Sequence, residues 1–285
     1  MATRRITLDT GAPGARTGSI FFVGNATTLI RYAGFTILTD PNFLHRGQFA
    51  RLGYGLRSRR LTNPAIEVEA LPQLDMVVLS HLHGDHWDEV AEAKLHRQTR
   101  VVTTPRVAET LGGKGFATEA LARWQSVRFD KGDVTLRVTA MPGRHGPALF
   151  SRLLPDVMGS LLDFETRGGA RLLRLYITGD TLVHDRLAEI RTRYDDIDLA
   201  LLHLGGTRVL GVLVTMDAAQ GVELMRIVQP RRAIPIHYDD YTVFKSPLAE
   251  FQQAAQRAGL GARLHYLAHG ESYTIEAPGR IARPA

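Results

Sequence analysis

Residues 81–86 read His-Leu-His-Gly-Asp-His, and Trp87 and Asp88 follow directly. Side chains of this kind are costly to bury without partners. They are also the nitrogen and oxygen ligands that zinc and related divalent cations prefer. The preceding stretch, Asp-Met-Val-Val-Leu-Ser at 75–80, is a short apolar run of the kind that forms a buried strand. A metal site at the carboxyl end of a buried strand is therefore expected. Because the chain contains no cysteine, thiolate zinc ligands, disulfides and a cysteine nucleophile are excluded. Nitrogen and oxygen must do the ligating, which favours a catalytic over a structural site.

Strand-like and helix-like runs alternate along the rest of the chain. Residues 19–23, 27–32 and 35–39 read as a meander of paired strands ending at Asp40-Pro41. A helix is expected over 88–96 with Asp88 as its cap or in its first turn, then a strand at 100–103 and a helix at 105–111. Strands follow at 126–129 and 134–140, and again at 172–178, 199–204 and 233–236, with helices at 218–228 and 246–258. A closing strand pair is expected over 263–267 and 272–275. The segment 43–64 has neither period. It carries Arg46, Arg51, Arg57, Arg59 and Arg60 among Phe43, Phe49, Leu52, Tyr54 and Leu56, and so reads as a basic loop insertion, a lid or an inert excursion. The Gly-rich stretch 204–214 lacks the spacing of a P-loop or dinucleotide motif and reads as a plain loop.

Of the 285 residues, 44% are hydrophobic and 22% charged, enough for a large core and too few charges for disorder. One α/β domain over residues 1–285 is expected, with a core of about 19–275 and helices outside two β-rich sheets. Residues 6–16 hold Asp9, two glycines and a proline, which argues against an export leader. No apolar run of about 20 residues exists to span a membrane. A cytoplasmic enzyme is the expectation. The net charge of +6 suits an anionic partner, whether a phosphate ester, a nucleic acid or a membrane surface.

Three further residues lie just past apolar runs, where α/β sheets place functional groups. They are His145 in Met-Pro-Gly-Arg-His, Asp180 in Leu-Tyr-Ile-Thr-Gly-Asp and His237 in Ala-Ile-Pro-Ile-His. Taken singly, each is as well explained as a cap or a turn residue. Together with the cluster at 81–86 they form His-x-His-x-Asp-His followed by a distant His, Asp and His. That pattern resembles the metallo-β-lactamase-fold hydrolases, over most of the chain. Leu-Thr-Asp-Pro at 38–41, Leu-Pro-x-Leu-Asp at 71–75 and Pro-Ile-His-Tyr at 235–238 resemble the branch holding N-acyl-phosphatidylethanolamine phospholipase D and the ascorbate-phosphate lactonases. Asn25 stands where that branch often carries histidine.

The resemblance implies a four-layer αβ/βα sandwich with two divalent metal ions at one edge, zinc first and manganese or iron as alternatives. His81, His83 and His145 would hold one ion, and Asp85, His86 and His237 the other, with Asp180 between them. A hydroxide bridging the two ions would attack a phosphodiester or a lactone-type ester. His83 stands where the diiron oxygen reductases of this fold usually carry glutamate, which turns the expectation from redox to hydrolysis. The expected substrate is a small or lipid-like anionic ester. A nuclease or nucleic-acid binder of the same fold, and a non-catalytic metal-binding protein, are the alternatives.

Other residues carry weaker signals. Asp40 is expected to accept the second N–H of a ligating histidine, and His203, at a strand end, to stand behind the ligands. Asp85, besides ligating, is placed with His184 and Tyr238 in the catalytic set. His184 is the candidate acid for the leaving group, and Tyr238 the candidate donor to a developing oxyanion. Arg46 and Arg144 are candidate phosphate forks.

Overall fold

A computed structural model describes residues 3–8, 17–53, 55–147 and 154–276. Tyr54, named above in the basic loop, and positions 9–16 of the leader argument lie outside them.

Two seven-stranded mixed sheets carry the architecture. In the first, the order is Ser272–Ile275, Gly18–Gly24, Thr27–Tyr32, Phe35–Thr39, Met76–Val78, Arg100–Thr103, Thr118–Ala120. The meander pairs antiparallel, then Leu38, Val77 and Val101 continue in parallel register. The second sheet runs Arg4–Thr7, Ser126–Lys131, Val134–Pro142, Met158–Thr166, Arg171–Ile177, Leu199–His203, Arg232–Ile236. It too turns from antiparallel to parallel, at Arg171–Ile177. Crossover connections put the first residue after each parallel strand on one edge, the usual place for a site in mixed α/β sheets.

The inner faces of both sheets share one core. Ile20, Ile30, Phe35 and Ile37 meet Phe129, Leu136, Leu162, Phe164 and Ile234, all fully or almost fully buried. Tyr32 and Phe35 strike the Phe164 ring edge-on, at 5.1 and 5.9 Å between centroids. Outside the second sheet lie the helices Ala188–Arg193, Ala218–Val228 and Leu248–Arg257, packed through Ile190, Leu224, Met225 and Phe251. Outside the first lie Glu89–Lys94 and Pro105–Gly112, packed through Ala91 and Leu111. The layers are therefore helix, sheet, sheet, helix, the four-layer sandwich expected.

Three local expectations change. Residues 263–267 form no strand: Gly261–Arg263 is a single 3₁₀ turn, Leu264 makes one isolated bridge to Ala233, and Ser272–Ile275 pairs instead with Gly18–Gly24. The segment 43–64 is no plain loop, since Phe49–Arg51 and Arg57–Arg59 pair antiparallel and Arg60 bridges Tyr241. Within 204–214, Arg208–Val209 and Val212–Leu213 likewise form a short hairpin. Strands also exist where none is expected from sequence, at Arg4–Thr7 and Met158–Thr166. The first pairs parallel with Ser126–Lys131, packs Ile6 and Leu8 against the core and places Arg4 and Arg5 by Glu119 and Asp130. Among the described residues no helix is long and apolar enough to cross a membrane.

Candidate metal centre

The strand Met76–Val78 delivers His81 to the edge between the sheets, where it is fully buried. A turn follows, in which His86 N–H and Trp87 N–H both donate to the His83 carbonyl, at 3.0 and 2.8 Å. Trp87 anchors the turn by packing edge-on against Phe116. Asp88 then caps the helix Glu89–Lys94 through the Ala91 N–H at 2.7 Å. Its other oxygen accepts from the N–H groups of Phe43 and Leu44 and from Asn42 Nδ2, so the cap also ties the 42–44 segment to the turn. Gly84 is required because the hairpin closes on it: its N–H donates to the Arg51 carbonyl at 2.8 Å, and a Cβ there would meet Arg51 N at 2.6 Å.

His145 arrives from the end of Val134–Pro142, Asp180 from Arg171–Ile177 and His237 from Arg232–Ile236. All seven residues named from the sequence converge. His81 Nε2 and His145 Nε2 lie 3.0 and 3.3 Å from His83 Nδ1. Ring nitrogens held about 2.0–2.1 Å from a tetrahedral zinc stand about 3.3 Å apart, so this trio fits a cation. Asp85, His86 and His237 form a second set whose ligand atoms lie within 4.8 Å of one another. Asp180 lies between the sets, with Oδ2 at 3.4 Å from His86 Nε2 and Oδ1 at 3.6 Å from His237 Nδ1. Asp85 Oδ1, Asp180 Oδ1 and His86 Nε2 are buried with no hydrogen-bond partner. Orphaned donors and acceptors are costly in a folded interior, and a cation bound among them resolves the deficit.

Surrounding groups fix the ring orientations. His145 Nδ1 donates to the Val214 carbonyl at 2.8 Å and His237 Nδ1 to the Leu204 carbonyl at 3.2 Å, which leaves each Nε2 facing inward. Asp40 Oδ1 accepts from Ser80 N and Ser80 Oγ at 2.7 and 3.0 Å. Its Oδ2 lies 3.4 Å from His86 Nδ1 and 3.4 Å from His203 Nε2, which places Asp40 between those two rings. Asp40 and His237 hold their backbones at φ +35° and +62°. Such strain recurs where a side chain must be aimed.

The electrostatics divide the centre into two halves. Burial and neighbouring imidazoles lower His83 to about 3, and burial lowers His81 and His145, so this trio offers neutral ring nitrogens. Burial opposes charge on His86, but Asp180, Asp85 and Asp40 outweigh it and hold that ring protonated. His237 is raised in the same way by Asp180 and Asp85. Positive charge is therefore favoured where the carboxylates gather. Protons supply it in the metal-free protein, and cations can displace them.

Of the weaker candidates, Arg144 and His184 line a cavity of about 540 Å³ that reaches His145. Arg123, which carried no signal in the sequence, lines it too. His184 does not suit the role of acid at neutral pH. Burial first, then the charges of Arg144 and Arg123, lower its pKa to about 4. The Tyr238 hydroxyl is turned away, donating to the Leu267 carbonyl at 3.3 Å. Arg46 is exposed, its N–H donating to Asn63 Oδ1, and it does not line the cavity beside His145.

Residues 36–238 match the Beta-lactamase superfamily domain. The chain belongs to this superfamily. Within it, the chain groups with the UPF0173 metal-dependent hydrolases. It is 30% identical to one from Korarchaeum cryptofilum over 74% of this chain and 85% of the relative, and 27% identical to one from Nanoarchaeum equitans over 72% and 88%. Among solved structures, an isothiocyanate hydrolase from Delia radicum gut bacteria superposes with a TM-score of 0.75 at 21% identity, covering 91% of this chain and 99% of that one. The diiron β-hydroxylase CmlA from Streptomyces venezuelae superposes at 0.63 and 15% identity, covering 90% and 54%. These likenesses show the shared fold, which hosts both hydrolytic and redox chemistry in its members.

Proposed function

We propose that this superfamily member is a dinuclear metal-dependent hydrolase of small anionic esters, of the phosphodiester or lactone type. The observation that carries the proposal is the pair of ligand sets meeting at Asp180, every member buried or half-buried and several atoms orphaned. Histidine at position 83 supports hydrolysis over iron redox chemistry, because it completes an all-imidazole trio without a carboxylate. The motifs at 38–41, 71–75 and 235–238 support the lipase and lactonase branch as the source of substrate chemistry.

Divalent cations bound in such a pair supply Lewis acidity and lower the pKa of water to about 7. The residues of the chain do the rest. His81, His83 and His145 present neutral nitrogens, and Asp85 and Asp180 balance the charge. The carbonyls of Val214 and Leu204 fix the tautomers of His145 and His237. The cavity beside His145 receives the body of the ester, with Arg144 on its wall. Hydrolysis then needs no nucleophilic side chain, consistent with a chain that contains no cysteine.

Metal analysis of purified protein is expected to give two ions per chain. Chelation should abolish hydrolysis of bis(4-nitrophenyl) phosphate and of a γ-lactone panel, and zinc or manganese should restore it. A protein that takes up no metal on reconstitution, or turns over both panels unchanged after chelation, overturns the proposal.

A further inference from the structure

The cavity beside His145 has a feature that the metal centre does not use. Arg144, half-buried, donates through one Nη to the Val183 carbonyl at 3.2 Å, and its Nε is buried without a partner. Among the described residues, neither Arg144 nor Arg123 comes within 4 Å of a carboxylate. The half-buried Arg100, Arg137, Arg171 and Arg174 each close on one, whereas Arg97 and Arg128 do not. His184 Nε2, on the same wall, is likewise buried without a partner. Asp156 and Asp185 also line the cavity and are exposed, and Arg186 lies 3.9 Å from Glu189. Arg144 and His184 thus leave buried, unclaimed N–H capacity facing one volume that the exposed Arg123 also lines, and guanidinium forks match the two oxygens of a planar oxyanion.

We infer that Arg123, Arg144 and His184 form a subsite for a fixed oxyanion, a carboxylate or phosphate on the substrate separate from the bond that is cleaved. This rests on the hydrolase reading above and adds the substrate class, an ester with a second, permanently charged end. The cavity of about 540 Å³ is of the size that takes a small ligand. Its wall includes His145, whose Nε2 faces the ligand trio, so a charge bound among the arginines leaves the rest of the molecule directed at the centre. Burial first, then the charges of Arg144 and Arg123, depress the His184 pKa, with Asp185 opposing. Charge anchored away from the reacting bond orients the substrate, as bidentate arginine clamps do.

The test uses full-length protein in two arms. In the first, metal-loaded enzyme is assayed on 4-nitrophenyl propionate and 4-nitrophenyl hemisuccinate, which differ by one carboxylate. The ratio of their kcat/KM values should favour the hemisuccinate about tenfold. Arg123→Gln should erase most of that ratio through KM, and Arg144→Lys should retain part of it. In the second arm, succinate and inorganic phosphate are titrated calorimetrically into chelated protein. Succinate should bind the wild type and bind Arg123→Gln about tenfold more weakly. Phosphate binding as tight as succinate would assign the subsite to a phosphate end rather than a carboxylate. Succinate binding without turnover of either ester, of bis(4-nitrophenyl) phosphate or of the lactone panel would keep the subsite and overturn the hydrolase reading. Turnover of both esters with a ratio near one, or no binding of either anion, would overturn the subsite.

Discussion

The side-chain amide of Asn25 donates to the backbone carbonyl of Asp85 at 2.5 Å, and the Asn25 carbonyl accepts from the His237 N–H at 2.9 Å. One fully buried residue, in a left-handed turn at φ +54°, thus holds two members of the second ligand set. Its own N–H donates to Asp240 Oδ2 at 2.7 Å. Replacing Asn25 by Ala strips the buried Asp85 carbonyl of its donor, an expected cost of about 1–3 kcal/mol in stability. Metal affinity should fall about 10–100-fold, as for the loss of other groups that orient ligands. Competition titration with a chromophoric chelator reads the second quantity. Unchanged affinity for both ions would show that Asp85 holds its position without the Asn25 side chain.

Asp240 accepts from Asn25, Thr62 and Arg60 and lies 3.3 Å from His269 Nε2, while Arg60 is fully buried against it with its guanidinium over the Tyr241 ring. Replacing Asp240 by Asn leaves Arg60 charged and unpaired in the interior, with an expected loss of about 3–5 kcal/mol. The pH dependence follows from its pKa. Burial pushes the carboxyl up, but His269, Arg60 and Thr62 outweigh burial and hold it down at about 2. A folded pKa below the unfolded value stabilises fully above about pH 4, and that contribution drains away as pH falls toward 2. In metal-free protein, urea midpoints should fall more steeply for wild type than for Asp240→Asn between pH 4.5 and 2.5. Parallel curves would rule out this carboxylate as the source.

Gly84 tests whether the hairpin is part of the site. A Cβ at this position meets the Arg51 backbone, which cannot rotate away as a side chain would. Replacing Gly84 by Ala should push the hairpin off the ligand turn at a cost of about 1–3 kcal/mol. Because His83 and Asp85 flank it, binding at both metal positions should weaken. Protease cleavage within 49–59 should quicken in the same variant. Wild-type cleavage rates with wild-type metal content would mean that the turn absorbs the methyl group locally.

The convergence of the seven candidate ligands was legible because His81, His145, Asp180 and His237 follow apolar runs and His83, Asp85 and His86 share the turn after the first. The Asp88 cap and the helix Ala218–Val228 were legible for a similar reason, since both depend on neighbours within a turn or two. Arg60 was not. A sequence reports its charge and its basic surroundings, which suggest solvent, but its partner Asp240 lies 180 residues away. Met158–Thr166 was hidden for another reason. Its buried Asp163 breaks the apolar pattern, and that carboxylate is met by Arg174 and faces Arg137 across the sheet. Arg123 carried no local mark at all, because a cavity wall is assembled from several elements and has no period of its own.

His184 offers the sharpest contrast between residue type and environment. An isolated histidine would be a natural proton donor near neutrality. Here burial, followed by the charges of Arg144 and Arg123, brings its pKa down to about 4. The ring is therefore neutral through the range in which a metal-dependent hydrolase would work, and it has no extra proton to give a leaving group. In metal-free protein, the His184 ring-proton resonance should titrate with a midpoint near 4, well below the ordinary value of 6.5. Removing one of the two arginine charges, as in Arg123→Gln, should move that midpoint upward, because a nearby cation disfavours the imidazolium. Rate profiles of the loaded enzyme should then show no limb between pH 6 and 8 that disappears in His184→Gln. A wild-type midpoint near 6.5 would return His184 to the role of acid.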